Sequence, residues 1–262
     1  MVQNQIIGII ISVIFGLIVG SFLNVIILRF DDLRTVFFTR SHCMHCKKEI
    51  AWYDLFPFFS YLLLAGKCRN CKTPISMQYP LVEVGTAILF GLLFWKFGLT
   101  LQFGFLLAIT AILVIVFTYD ILHYLIADIL IWIAIGLWVV YLTLSYFFID
   151  QSVVVLLHSL YGGLILGGFL ALLVLISKEK WMGAGDIKLG FLLGAICAWP
   201  SVLVGLFATF MIGSIVGLIL IGTKEKKMKD MIPFAPFMIT GVYLAIFVGE
   251  KIVDWYLGGL WM

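Results

Sequence analysis

The feature that most constrains the fold is a series of long apolar runs with few or no charges. A bilayer core about 30 Å thick needs roughly 20 helical residues to cross it. About eight such runs occur, over about 5–28, 84–95, 99–119, 129–148, 153–177, 187–199, 201–221 and 235–249. Of the 262 residues, 63% are apolar and only 12% are charged, which excludes an ordinary soluble domain. The sequence therefore predicts an all-α polytopic membrane protein with about eight transmembrane helices.

The basic residues predict which side of the membrane each loop faces. Lys and Arg collect on the cytoplasmic side of membrane proteins. If the N-terminus is outside, segments 29–72, 178–188 and 224–229 face the cytoplasm and together hold 15 of the 17 Lys and Arg. This distribution favours an even number of spans with both termini outside. The same bias explains the net charge of +3, so the sequence gives no support for nucleic-acid binding.

One polar stretch interrupts the membrane body. We predict a first transmembrane helix at 1–29, a small cytoplasmic insert at 30–80 and a helical membrane domain at 81–262. The first apolar run lacks a basic start and an A-x-A-like cleavage site, so we interpret it as a retained helix rather than a signal peptide.

The insert carries two C-x2-C pairs, Cys43 with Cys46 and Cys68 with Cys71, separated by 21 residues. Two such pairs typically meet as a tetrahedral four-cysteine site for structural zinc. The alternatives are disulfides or unused thiols, and a reducing cytoplasm disfavours disulfides. We therefore predict a structural metal ion, zinc ahead of iron. Four thiolates leave no open coordination position, so the ion would order the loop and do no chemistry.

Acidic residues at or inside apolar runs are costly and are candidates for function. Asp120 ends the run 99–119 and Asp186 directly precedes the run 187–199, and both fall on the predicted cytoplasmic side. The second run would rise only about 20 Å, which would recess Asp186 below the inner surface. Two carboxylates that share a site can act as general base and general acid toward water.

Other interpretations of these acids remain open. Asp186 can cap a helix and Asp120 can simply end one. A proton- or cation-coupled transporter also places acidic residues near broken helices. Gly183 and Gly185 would let the backbone turn tightly and approach a neighbour closely just before Asp186, where a helix dipole favours a carboxylate. Asp128 directly precedes an apolar run, and we interpret it as a helix N-cap.

Five ordered blocks resemble the type IV prepilin peptidases. They are "GSFLNVIILR" at 20–29, the cysteine-rich stretch at 40–76, "YPLVE" at 79–83, "GAGDIKL" at 183–189 and "PFAPF" at 233–237. The resemblance implies an intramembrane aspartic endopeptidase of the bacterial cytoplasmic (inner) membrane, with its active site facing the cytoplasm. Such enzymes cut the leader from prepilins and related pseudopilins.

The same resemblance assigns catalytic residues. The G-x-G-D motif of the family corresponds to Gly183, Gly185 and Asp186, and its first catalytic aspartate corresponds to Asp120 in "DILHYLIAD". Three positions depart from the family pattern: Gln78 stands where arginine is usual, Ala127 where proline is usual, and Ala235 where glycine is usual.

Many members of this family also methylate the new N-terminal amine with S-adenosylmethionine. The resemblance implies the same second activity here, with Glu83, Gly20 and Asn24 as contributors. The sequence has no G-x-G-x-x-G motif after a strand, so a cofactor site of the Rossmann type is not expected.

Overall fold

A computed structural model describes residues 2–30, 33–150, 152–227 and 230–260. The described chain is helical, and its only β-pairings are two isolated bridges in the insert. Its helices are α1 (Val2–Leu28), α2 (Leu33–Phe38), α3 (Phe59–Leu63), α4 (Gln78–Phe97), α5 (Leu101–His123), α6 (Asp128–Ser145), α7 (Val153–Ser177), α8 (Ala184–Cys197), α9 (Val202–Gly222) and α10 (Ala235–Leu260), with a 3-10 turn at Trp52–Leu55 and a π turn at Tyr146–Asp150. The chain divides into two compact units, Met1–Thr118 and Tyr119–Met262.

Each predicted apolar run coincides with a helix. In the described part of the chain, seven helices are long and apolar enough to cross a membrane: α1, α4, α5, α6, α7, α9 and α10. The eighth run forms α8, whose 14 residues rise only about 21 Å. The prediction of an all-α, multi-pass membrane protein is confirmed. The division of the chain into segments 1–29, 30–80 and 81–262 stays a prediction.

Several helices extend beyond the apolar runs that predicted them. The α4 helix begins at Gln78 rather than near residue 84, and α5 continues through Asp120 to His123. In both cases a carboxyl group lies inside the helix, where hydropathy alone would place an end. Each of these carboxyl groups is buried and accepts a backbone N–H, which offsets part of the cost of burying it. Asp120 therefore lies in the last turn of α5 rather than at its final residue.

In the first unit, α1 and α4 pack as an antiparallel pair with closely approaching backbones. A Cβ atom added at Gly16 would lie 2.6 Å from Ala87 Cα, and one added at Gly20 would lie 2.8 Å from Glu83 Cα. Small residues allow such contact between membrane helices, where van der Waals packing replaces the hydrophobic effect. This pairing places the C-terminal end of α1 beside the N-terminal end of α4.

The insert between α1 and α4 contains two copies of one turn. Residues 41–50 and 66–75 repeat the same backbone hydrogen bonds with an offset of 25 residues. Cys43 N–H bonds Lys48 O, and Cys68 N–H bonds Thr73 O, both at 2.9 Å. The residue after each second cysteine, Lys47 or Lys72, has a left-handed backbone with φ near +60°. Sequence analysis recognised the cysteine pairs but not this longer repeat.

The second unit is built on two close antiparallel helix pairs. In the α7–α8 pair, a Cβ atom at Gly162 would lie 2.3 Å from Gly194 O. In the α9–α10 pair, a Cβ atom at Gly241 would lie 2.6 Å from Thr209 N. Most of α8 is buried, including Leu189. The short helix is therefore enclosed by longer ones.

A chain of hydrogen bonds ties α6, α7 and α8 together. Trp138 Nε1 donates to Ser159 Oγ at 3.0 Å, and Ser159 Oγ donates to Ala195 O at 2.8 Å. The indole and the hydroxyl therefore both have partners although they are buried. Such bonds are a recognised source of helix association in lipid.

Candidate active site and candidate metal centre

Asp186 is the third residue of α8 and is only 7% exposed. Its Oδ2 accepts the N–H of Gly183, the residue that precedes the helix, at 3.0 Å. The N-cap position is Gly183 rather than Asp186, and the Asp186 side chain makes the return half of a capping box from the third helical residue. This contact does not exclude a catalytic role, because one bond to Oδ2 orients the carboxyl group without using all of its acceptor sites.

Neither glycine before Asp186 has a left-handed backbone, and only Gly185 is closely approached by a neighbour. Gly183 is extended, with φ −85° and ψ 161°, and Gly185 lies within α8. A Cβ atom at Gly185 would lie 3.2 Å from the Cβ atom of Ile126. Gly185 therefore lets the start of α8 pack against the segment that connects α5 and α6.

Asp120 lies in the last turn of α5 and is 5% exposed. Its Oδ2 accepts the N–H of Ala235, the first residue of α10, at 3.1 Å. The start of a helix carries partial positive charge, which favours a carboxylate there. Asp120 and Asp186 lie close enough for their charges to interact. The structure thus brings together the two aspartates that the sequence singled out.

An ion pair holds α6 against α8 beside this pair. Lys188 Nζ, two residues after Asp186, donates to Asp128 Oδ2 at the first residue of α6. The interpretation of Asp128 as an N-cap was wrong: Ala127 occupies the N-cap position and Asp128 forms the ion pair instead. The sequence pattern gave Lys188 no role beyond its charge in the topology, although its place two residues after Asp186 was a usable signal.

The four cysteines of the insert form one cluster. The Sγ atoms of Cys43, Cys46, Cys68 and Cys71 all lie within 4.8 Å of one another. Cys43 Sγ and Cys71 Sγ are 3.8 Å apart. A tetrahedral zinc site with Zn–S bonds of about 2.3 Å requires a separation of about 3.8 Å between sulfurs. The cluster could therefore hold a metal ion of this kind.

Hydrogen bonds favour the thiolate form that a metal needs at two of the four cysteines, Cys71 and Cys43, whereas the neighbouring sulfurs help to raise the pKa of Cys46 to about 11. The Thr73 hydroxyl lies 3.2 Å from Cys71 Sγ, and this contact, together with the Thr73 backbone N–H, lowers the pKa of Cys71 to about 5. The backbone N–H groups of Cys46 and His45 lower the pKa of Cys43. None of the four cysteines is in a disulfide.

A third group of polar residues lies between α1 and α4, where sequence analysis placed the methyltransferase contributors. Glu83 is buried and its Oε2 accepts the N–H of Phe58 at 2.7 Å. Gly20 packs directly against Glu83. Asn24 donates from Nδ2 to Tyr79 O at 3.1 Å, which fixes the orientation of its amide. Asn24 Oδ1 is buried and finds no donor in the described structure, as expected of an atom that awaits a ligand or water.

The chain is similar to two families and to many curated proteins. Residues 14–97 match the bacterial peptidase A24 N-terminal domain, and residues 107–218 match the type IV leader peptidase family. Prepilin leader peptidase/N-methyltransferases are among the relatives. The protein from Legionella pneumophila is 34% identical over 95% of this chain and 94% of its own. The protein from Pseudomonas aeruginosa is 30% identical over 94% of this chain and 92% of its own length. The protein from Bacillus subtilis is 30% identical over 93% of this chain and 96% of its own length.

No solved structure matches the chain. The matched regions contain all three groups of residues described above: Cys43 and Glu83 lie within 14–97, and Asp120 and Asp186 lie within 107–218. The relatives align with nearly the whole length of the chain. The chain belongs to the type IV leader peptidase family.

Proposed function

We propose that this protein is a prepilin leader peptidase in which Asp120 and Asp186 activate the attacking water. It would act on prepilins, the substrate in the names of its relatives, or on related pseudopilins. The observation that carries the proposal is the approach of two buried carboxyl groups at the start of α8 and the end of α5. The transporter alternative finds no support among the relatives.

The chemistry needs one carboxylate and one carboxylic acid. The carboxylate takes a proton from water as the water oxygen bonds to the scissile carbonyl carbon. The carboxylic acid protonates the leaving amine when the C–N bond breaks. Two neighbouring acids share one proton readily at neutral pH, and the pair titrates as a unit. The N–H groups of Gly183 and Ala235 would hold the two carboxyl groups in place during both steps.

The substrate fits the proposed position of the site. Basic residues favour the cytoplasmic side for the segment around Asp186, and alternation of the spans puts the loop after Asp120 on the same side. We place the protein in the bacterial cytoplasmic membrane with this site facing the cytoplasm. A prepilin has a basic leader followed by an apolar helix, so the helix can remain in the bilayer while the leader junction reaches the aspartates.

We also assign two accessory groups. The four cysteines would hold a structural zinc ion, with thiolate ligands from both turns of the insert. S-adenosylmethionine, when bound, would supply a methyl group for the new N-terminus. Asn24 offers an unpaired buried acceptor for binding, and Glu83 offers a buried carboxylate that can take the proton lost by the substrate amine.

The dyad is tested with purified protein and a prepilin substrate. Asp120→Asn and Asp186→Asn are each expected to remove cleavage, because an amide cannot exchange the required proton. Asp254→Asn, at an exposed position in α10, is the matched control and should cleave like the parent protein. Full cleavage by either dyad variant would contradict the proposed mechanism. Solute transport by vesicles that leave prepilin uncut would favour the transporter.

A further inference from the structure

The insert exposes an unusual amount of apolar surface outside the membrane-spanning helices. The aromatic segment, residues 52–63, includes the 3-10 turn and α3. Its exposed side chains include Trp52 at 75%, Phe59 at 57% and Leu63 at 87%. The others are Tyr53, Leu55, Phe56 and Leu62. A soluble loop seldom leaves so many large apolar groups together in water.

The aromatic segment is attached to α4 well inside the helix rather than at its end. Phe58 N–H donates to Glu83 Oε2 at 2.7 Å. Glu83 lies five residues after Gln78, the first residue of α4, which corresponds to about 7.5 Å along the helix axis. The chain at Phe58 is therefore held at the level of the second turn of α4.

The length of α4 fixes that level relative to the bilayer. The helix has 20 residues and rises about 30 Å, the thickness of the hydrocarbon core. If the membrane began only after Glu83, the remaining 14 residues would rise about 21 Å and would not cross it. The core must therefore extend toward Gln78, past the level where Phe58 is attached. Leu81, on the same turns of α4, is also exposed, as expected of a residue that faces lipid.

Charges in the insert complement a membrane surface. Residues 40–77 hold six Lys and Arg against two acidic residues. Lys47, Lys48, Lys67 and Lys72 are all exposed. Basic groups near the apolar face of an interfacial segment attract anionic lipid headgroups.

We infer that the aromatic segment lies in the membrane interface at the Gln78 end of α4, with its apolar side chains among the upper acyl chains. The four-cysteine turns on either side of the segment would then stand at the headgroup level. The aromatic segment is thus the membrane-embedded part of the insert rather than part of a free domain in the aqueous phase. This inference does not depend on the aspartate dyad or on methylation.

The depth of the segment can be measured by fluorine NMR on the full-length protein in lipid nanodiscs. 4-Trifluoromethylphenylalanine is placed in turn at positions 59, 63, 88 and 49. Ile88 is an exposed residue within α4 and reports the acyl region, whereas Glu49 is an exposed acidic residue of the insert and reports water. Broadening of each signal is recorded with lipids that carry a nitroxide near the headgroup, and separately with a water-soluble gadolinium chelate.

The nitroxide lipid is expected to broaden the signals from positions 59 and 63, as it broadens the signal from position 88. Gadolinium should broaden them severalfold less than it broadens the signal from position 49. Broadening by gadolinium alone, as at position 49, would place the segment in water and overturn the inference. Protection from both agents would mean that a second copy or another protein covers the segment, which also overturns it. Both replaced side chains are exposed, so the probe should disturb the packing little. Agreement between the two positions would exclude a local effect of the probe at either one.

Discussion

At the scale of single residues, both aspartates of the candidate site are fixed by backbone N–H groups. Gly183 binds Asp186, and Ala235 binds Asp120. The first contact spans three residues, and the G-x-G-D motif points to it. The second spans 115 residues, and no local pattern in the sequence reports it. The resemblance named Asp120 as a candidate, and only the folded chain shows which N–H group holds it.

Gly185 gives a test of how closely the start of α8 must approach its neighbour. Replacing it with valine would force Ile126 away, because even a Cβ atom would lie 3.2 Å from Ile126 Cβ. A displacement of about 1 Å at a catalytic group can cost about 100-fold in rate. We expect Gly185→Val to lower the rate of prepilin cleavage about 10- to 100-fold and the double variant Gly185→Val/Ile126→Ala to recover part of it.

The control for this prediction is Gly168→Val. A Cβ atom at Gly168 in α7 meets no neighbour, so this variant should cleave at the parent rate. A Gly185→Val protein with unchanged cleavage would show that the approach to Ile126 does not position Asp186. If adding Ile126→Ala did not raise the cleavage rate of the Gly185→Val protein, the lower rate would come from a change at the start of α8 itself.

At the scale of helices, the ion pair between Lys188 and Asp128 links the start of α6 to α8. Asp128 begins α6 and Lys188 lies in the second turn of α8. The connection between α5 and α6 also contacts Gly185 through Ile126. The α5 helix, which carries Asp120, ends at His123 on one side of this connection, and the ion pair lies on the other side. The contact and the ion pair both restrain a connection that has Ala127 where proline is usual in the family.

We expect Lys188→Ala and Asp128→Ala each to lower cleavage about 10-fold, because a loosened α6 no longer fixes the distance between the aspartates. The charge-reversed double variant Lys188→Asp/Asp128→Lys should recover a large part of the activity. Lys180→Ala, which removes an exposed lysine before α8, is the matched control. Equal loss in the double and single variants would mean that the ion pair is not the cause.

The insert shows which helix-scale features a sequence pattern can predict. The C-x2-C spacing predicted the four-sulfur cluster because each pair closes a short local turn. The extents of α4 and α5 were harder to predict, since their buried carboxyl groups depend on partners elsewhere in the chain. A hydropathy pattern ends an apolar run at a carboxyl group, whether or not the folded protein supplies a hydrogen-bond donor that allows the group to be buried.

Loss of one cysteine from either turn of the insert should have the same effect on metal binding. Cys43→Ser and Cys71→Ser should each lose the bound metal, because three thiolates hold zinc far less tightly than four. Elemental analysis of the purified protein measures the metal and separates zinc from iron. Cys197→Ser, in the buried part of α8, is the control and should keep the metal. A parent protein that contains neither zinc nor iron would remove the assignment.

At the scale of the whole molecule, the two proposed reactions use residues of different compact units. Glu83 and Asn24 belong to Met1–Thr118, and Asp120 and Asp186 belong to Tyr119–Met262. The two family matches divide at a similar position, at residues 14–97 and 107–218. Apolar runs predicted the helices of both units. They could not predict the unpaired Asn24 carbonyl, which arises only from the packing of α1 on α4.

This separation predicts that cleavage and methylation can be lost independently. Glu83→Gln and Asn24→Ala should still cut prepilin but should leave the new N-terminus without the mass of a methyl group when S-adenosylmethionine is present. Asp186→Asn should fail to cut, yet should methylate a pilin supplied with its leader already removed. Mass spectrometry of the pilin reads both reactions in one experiment, with Asp254→Asn as a control for each.

If Glu83→Gln and Asn24→Ala methylated like the parent protein, the site between α1 and α4 would not be the methyltransferase site. If Asp186→Asn lost both reactions, the two units would not work independently, because one carboxyl group of the second unit would then be needed for chemistry assigned to the first.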